Sequence, residues 1–385
     1  INTDSSEDRG IRDGSDAVRT KSFSKTFPAD QTDKISLNNQ FGSMQIKTWD
    51  KKEVKVDVSI RVYSTNEKEA QYMIDLINIE AQKNGDAISF KTVLNPGKRM
   101  YERSKKREMK VDYVVYLPSS NALTLSQQFG NVTMGDFSGP LSARIQYGDF
   151  NAGNLSGANN YINVQYGKTG IEELNKATIK QQYGSGLIIG TAGELDLNAQ
   201  YASVTVSTIK RDAVIKQEYG SGLTVGTVGN LDLNVQYANV NIGTIRGNAV
   251  IRQQYNELTL GSVGKLDLRS EYSGVTIGTL KGDGNFKMSY NRVNIAEITP
   301  GCRNLTVDVD YVEVNLNFAD NYNADFTVQK SYGGFRYGSN VKATLAGGDN
   351  EERRGSSTKN YSGKIGNGGS ATVRIKADYG SVVFK

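Results

Sequence analysis

The chain has 385 residues, with 41 glycines, 5 prolines, 21 tyrosines and 37% hydrophobic content, a turn-rich composition that suits β-structure around a thin core. It contains no histidine, which removes Ser-His-Asp and Cys-His catalysis and imidazole metal ligation together. Its single cysteine, Cys302, excludes an intramolecular disulfide, and a formal net charge of +5 makes no case for nucleic acid. No stretch approaches the ~20 apolar residues of a membrane span.

In chain order, residues 1–21 are charged, lack periodicity and predict a disordered tether. The polar opening INTDSSEDRG reads as the start of a mature chain whose export signal has been removed. From Phe23 the pattern turns β-like: Ile35 to Gly42 and Met44 to Trp49 form a first, degenerate coil and N-terminal cap, with a further strand over Lys55–Tyr63. Residues 66–83 break the alternation. Met73, Ile74, Ile77 and Ile79, flanked by Glu67, Glu69 and Lys83, predict one amphipathic helix capped by Thr65 or Asn66 and closed by Gly85. A strand returns over Ile88–Leu94. Residues 95–110 form a basic loop carrying Lys98, Arg99, Arg103, Lys105, Lys106, Arg107 and Lys110 against Glu102 and Glu108. Only Tyr101 in it could stack on a base, so single-stranded nucleic acid is a poor fit.

After a strand ending at Pro118, a repeat takes over. Tyr183, Tyr201, Tyr219, Tyr237, Tyr255, Tyr272 and Tyr290 recur at spacings of 18, 18, 18, 18, 17 and 18 residues. Phe129, Tyr147 and Tyr166 precede them in the same role, and Tyr311 and Tyr332 follow at 21. Within a unit the alternation has period two, as in Leu195-Asp-Leu197-Asn-Ala199-Gln-Tyr201, so the elements are strands. A fixed period of this length marks a solenoid, in which stacking closes the core. The units also alternate as doublets, so a turn could take one unit or two. A one-unit turn places Leu195, Ala213, Leu231, Ala249, Leu266 and Gly284 in one inward column, large beside small. It also interleaves Lys180, Asn198, Lys216, Asn234 and Arg252 outside, which separates like charges.

The expected fold is therefore all-β: a single-stranded β-solenoid (β-helix) with ~18-residue coils and one inserted helix near the N-terminus. Its parts are a tether (1–21), degenerate coils with the helix and basic loop (22–122), a regular solenoid (123–340), and a mobile loop with a C-terminal capping coil (341–385).

Three features together carry a resemblance: the Gln40-Phe41-Gly42 coil with a helix after it, the strand ending in Leu117-Pro118, and strand-Tyr-Gly-strand units closing with Ala377-Asp-Tyr379-Gly-Ser-Val. Over residues 22–385 the chain resembles the putative-adhesin repeat proteins of bacteria. That resemblance implies a β-solenoid, a cell-surface or periplasmic location and a lipid anchor outside residues 1–385. It supplies no functional residues to carry over.

The chemistry on offer is spare. Asp196, Asp232 and Asp267 recur on the outward face, but Val214 and Val250 intervene, which spaces them roughly 9–10 Å apart. That is too far for one Ca²⁺ and at the upper end for an inverting glycosidase. Asp308, Asp310 and Glu313 are closer, although Asp308 and Asp310 share one strand face. The Gly-Ser-Gly segments (Gly184–Gly186, Gly220–Gly222) lack a P-loop Lys and read as bends. Inward Gln181, Gln217 and Gln253 must bond to backbone near the bend. No cofactor and no metal are expected. The candidate ligand surfaces are the seven basic residues of 95–110 and the aromatic edge Tyr183, Tyr201, Tyr219, Tyr237 and Tyr255, the latter chiefly structural. The function expected is a non-catalytic, adhesin-like surface or envelope protein whose partner is a glycan, host matrix or an anionic envelope component. The alternatives are a β-helix polysaccharide lyase or hydrolase, and a structural or envelope-stress module without a soluble ligand.

Overall fold

A computed structural model describes residues 17–95, 107–346 and 357–385, most of them in strands, with one helix among the described residues. The chain divides into two compact units, Ile1–Asn159 and Asn160–Lys385.

The first unit contains β1 (Ala17–Pro28), β2 (Lys34–Gln40), β3 (Met44–Trp49), β4 (Glu53–Ser64), α1 (Glu67–Asp75), β5 (Ile77–Asn84) and β6 (Ala87–Leu94). β7 (Arg107–Pro118), β8 (Ala122–Gln128), β9 (Val132–Met134), β10 (Leu141–Gln146) and β11 (Phe150–Leu155) complete it. Parallel pairing runs β6–β2–β8–β10 on one face, with Ile35 facing Ile88 and Leu123, and Leu123 facing Leu141. It runs β7–β3–β9–β11 on the other, with Met44 facing Tyr113 and Val132. Every second residue along these strands (Ile35, Leu37; Leu123, Leu125; Leu141, Ala143, Ile145) is buried between the faces, as period-two alternation requires. Outside β6 and β7 the pairing becomes antiparallel, through β5 on one side and through β4 and β1 on the other.

Four expectations change here. The Ile35–Trp49 coil is not terminal, because β6 and β7 stack outside it. Residues 1–16 lie outside the described residues, while Ala17–Lys21, expected in the tether, belong to β1, which pairs with β4 from Ala17/Ser64 to Pro28/Glu53. None of its side chains is buried, so it lacks the alternation that would mark a strand. The helix ends early, at Asp75, and Ile77–Asn84 is β5. Ile77 and Ile79 fit either period, and the antiparallel partners Leu94 and Thr92 decide for strand. Asn66 does cap the helix, accepting a hydrogen bond from Lys68 N at 2.8 Å. Ala70, Met73 and Ile74 are buried where the helix packs on β1 and β4. Finally, Arg107–Lys110 belong to β7 and not to a loop. The rest of the basic segment, 96–106, lies outside the described residues.

The second unit contains β12 (Asn160–Gln165), β13 (Lys168–Gln182), β14 (Gly186–Gln200), β15 (Val204–Ile209), β16 (Asp212–Glu218), β17 (Leu223–Val228), β18 (Asn230–Gln236) and β19 (Val240–Leu280). Then follow β20 (Gly284–Ile298), β21 (Asn304–Phe318), β22 (Ala324–Ser331), β23 (Phe335–Tyr337), β24 (Val341–Leu345), β25 (Thr358–Ile365), β26 (Thr372–Asp378) and β27 (Val382–Phe384). Leu195 pairs with Ala213, Ala213 with Leu231, Leu231 with Ala249 and Leu266 with Gly284, so large does stack on small. The outward Lys180, Asn198, Lys216, Asn234 and Arg252 pair in the same succession. In both columns a residue pairs with its counterpart one repeat on, not two.

The C-terminal segment does not cap this stack. β26 inserts between β21 and β22, and β27 between β21 and β23. The outer edge of β22 is covered by antiparallel β25, which in turn carries β24. Much of the loop expected over 341–370 is thus a hairpin edge. In β25 only Ile365 is buried, which is why its sequence reads as a loop. Residues 347–356 lie outside the described residues.

Candidate functional site

The marker rings share one backbone state. Tyr183 has φ 51°, Tyr201 52°, Tyr219 54°, Tyr237 56° and Tyr255 62°, all in the left-handed region that costs an L-residue roughly 1–2 kcal/mol. The left-handed residue is therefore the tyrosine, and the bend runs on into the segment expected to bend, where Gly186 has φ 143°. In Gly220–Gly222 neither glycine has a positive φ. Gly184 is glycine for space, since a Cβ there would lie 1.9 Å from the Gly167 carbonyl oxygen of the adjacent coil.

The left-handed turn throws each ring outward onto its neighbours. In the second unit Tyr166, Tyr183, Tyr201, Tyr219, Tyr237, Tyr255, Tyr272, Tyr290 and Tyr311 stack in succession, with centroids 4.5–5.4 Å apart. Tyr311 then stacks on Tyr379, and Tyr379 on Tyr332, so sequence order breaks at the inserted strand. Ring planes lie within 13° of parallel. Each ring is near half exposed, from 37% at Tyr255 to 63% at Tyr332. The faces cover one another, and what meets solvent is a ribbon of ring edges and hydroxyls. Adjacent phenols interact: the hydrogen bond with Tyr237 leads the causes that hold Tyr255 above the ordinary tyrosine range, and the charge of Tyr272 does the same for Tyr290.

A polar row accompanies the rings. The Nε2 of Gln165 donates to Gln182 Oε1 at 2.8 Å, Gln182 to Gln200 at 2.8 Å, and Gln200 to Glu218 at 3.0 Å. Gln236 donates to Gln254 at 2.9 Å. Sequence reasoning missed this row, although its signal is plain: a Gln or Glu stands immediately before Tyr166, Tyr183, Tyr201, Tyr219, Tyr237, Tyr255 and Tyr272. One residue earlier, the inward glutamines behave as expected. Gln181 donates to Gly167 O at 2.7 Å, Gln217 to Ala202 O at 3.0 Å and Gln253 to Ala238 O at 3.0 Å.

The other candidates are dispersed. Asp196 and Asp232 lie exposed on the outward face with Val214 between them, and Asp232 is paired with Arg252 at 3.2 Å. Asp308 is 3.7 Å from Lys376, and no group of three or more acidic or cysteine side chains among the described residues could hold a metal. Cys302 is buried beneath Tyr322, and burial pushes its thiol up to about 11. Of the basic candidates, Lys98, Arg99, Arg103, Lys105 and Lys106 lie outside the described residues, and Arg107 begins β7. Lys110 pairs with Glu108 on its own strand at 3.1 Å and borders a cleft beside Phe41 and Phe129.

No family model matches the chain, and no curated protein matches it. Among solved structures it is similar to a putative cell adhesion protein from Clostridium sporogenes ATCC 15579, at 11% identity over 95% of this chain and 99% of that one, with a TM-score of 0.19. It is similar to a putative adhesin from Bacteroides fragilis NCTC 9343, at 11% identity over 70% and 96%, with a TM-score of 0.22. A putative lipid binding protein from Parabacteroides distasonis ATCC 8503 stands at 11% over 71% and 94%, with a TM-score of 0.26. Likeness of this degree establishes no function.

Proposed function

We propose that the chain is a non-catalytic, adhesin-like binding protein of the cell surface or periplasm, a β-solenoid whose ligand is a glycan laid along the tyrosine edge of the second unit. One observation carries this reading: the tyrosine rings stack 4.5–5.4 Å apart, and the residue before the ring carries an amide at Gln165, Gln182, Gln200, Gln236 and Gln254, with a carboxylate at Glu218. Sugar hydroxyls both donate and accept hydrogen bonds, and so do phenols and amides. A repeated polymer can meet a repeated row in register, so that many weak contacts add.

The solenoid reading rests on parallel pairing at one repeat per turn. The non-catalytic reading rests on the lack of histidine, which excludes Ser-His-Asp and Cys-His catalysis.

The test is co-sedimentation with insoluble polysaccharides, comparing the native chain with the triple variant Tyr219→Phe, Tyr237→Phe, Tyr255→Phe. The variant keeps the stack and removes three hydroxyls, each worth about 0.5–1.5 kcal/mol, so binding should weaken about tenfold or more at unchanged thermal stability. Equal binding by the two proteins would refute the tyrosine edge as the site.

A further inference from the structure

The first unit has a shorter ring stack, Phe41–Phe129–Tyr147, with centroids 5.2 and 5.0 Å apart and planes 5° from parallel. Phe41 and Phe129 are the marker rings that carry no hydroxyl, and both line one cleft of about 500 Å³. Gly42 and Gly130 line it too. Glycine is required there, because a Cβ on Gly130 would lie 1.7 Å from Gly42 O.

The walls come from β4 and β7. Asp112 Oδ1 accepts hydrogen bonds from Ser43 N and Ser43 Oγ, both at 2.8 Å, and its Oδ2 accepts one from Arg61 Nη2 at 2.7 Å. Lys110 Nζ sits 3.1 Å from Glu108 Oε1. Among the described residues that line the cleft, two cations and two carboxylates thus form two matched pairs whose formal charges cancel.

That combination selects a ligand class. An apolar ligand would strand four charged groups without water. An anion would meet cations already neutralised and two carboxylates that repel it. A neutral pyranose satisfies both halves: its C–H groups pack against the hydroxyl-free ring edges of Phe41 and Phe129, and its hydroxyls donate to Asp112 and Glu108 while accepting from Arg61 and Lys110. The cleft volume falls in the range of small-ligand sites.

We propose that this cleft is a second, separate saccharide site, taking one neutral sugar residue. It shares the ligand class of the tyrosine edge but none of its residues, so either can fail alone.

The test is saturation-transfer NMR on the full chain with the methyl glycosides of glucose, galactose, mannose and N-acetylglucosamine, with glucuronate and inorganic phosphate as the anionic arm. At least one neutral glycoside should bind with a Kd below about 10 mM. Phe129→Ala should weaken it roughly tenfold, and so should Glu108→Gln, which alters an exposed side chain and leaves packing intact. The Tyr219/Tyr237/Tyr255 phenylalanine variant should bind the glycoside normally. Absence of binding by all four, preference for glucuronate or phosphate, or full binding by the Glu108→Gln and Phe129→Ala proteins would each overturn the proposal.

Discussion

Tyr311 stacks on Tyr379, with ring centroids 4.7 Å apart and planes 5° from parallel, and not on Tyr332, the next marker ring in the sequence. Tyr332 takes the far side of Tyr379, also at 4.7 Å. The last strands of the chain are therefore an internal layer, hydrogen-bonded on both sides.

Removing residues 371–385 should accordingly disrupt more than an end. It strips the parallel partner from Asn304–Asp310 and from Asp325–Ser331 at once, exposing two strand edges. The truncated chain should lose its cooperative melting transition or elute as aggregate. A monodisperse protein with native melting would contradict the insertion.

The left-handed tyrosines make a signed prediction. Tyr237→Ala loses ring contacts to Tyr219 and Tyr255 but keeps the strained backbone, for a loss of about 1–3 kcal/mol at about 0.5–1.5 per aromatic pair. Tyr237→Gly loses the same contacts and relieves the strain, so it should be less destabilising than Tyr237→Ala by about 1 kcal/mol. Urea denaturation of the two variants decides, and the reverse order would contradict the account.

Gln217 is buried, and its amide donates to Ala202 O at 3.0 Å and Gly222 O at 3.1 Å. Gln217→Leu fills the same volume and leaves those bend carbonyls without their donor. The expected loss is about 1–3 kcal/mol in the same assay. A leucine variant as stable as the native chain would show that the amide plays no part in holding the bend.

Asp112 links the cleft to pH. Burial raises its carboxyl, but hydrogen bonds from Ser43 N, Arg61 and Ser43 Oγ outweigh that and hold it below the ordinary value. A depressed folded pKa contributes stability that is present above the unfolded value of about 3.9 and lost as pH falls through the folded one. The difference in urea midpoint between the native protein and Asp112→Asn should stay constant from about pH 8 to pH 5. It should shrink between about pH 4 and pH 2, and a difference unchanged at pH 2 would contradict this assignment.

Features that repeat were legible in the sequence, and features made by long-range contact were not. The Leu195/Ala213 and Lys180/Asn198 columns gave the register, because side-chain size and charge must alternate between neighbours in a stack. The inward position of Gln217 followed from period two. Ala17–Lys21 escaped notice because a strand with no buried side chain has no alternation to read. The left-handed tyrosines defied a propensity that favours glycine and asparagine at positive φ. The insertion of β26 depends on tertiary pairing alone. The cleft was invisible for the same reason: Arg61 and Asp112 meet only through the antiparallel β4–β7 register.

The most direct test is a glycan-array screen of the full chain at low and at physiological salt, with product analysis of every bound polysaccharide. The phenols and amides of the edge carry no charge and Glu218 is the one carboxylate hydrogen-bonded to Gln200 in the row, so the account predicts binding of neutral saccharides that changes little with salt and yields no cleavage products. Binding at neither salt, or release of cleaved product, would contradict it.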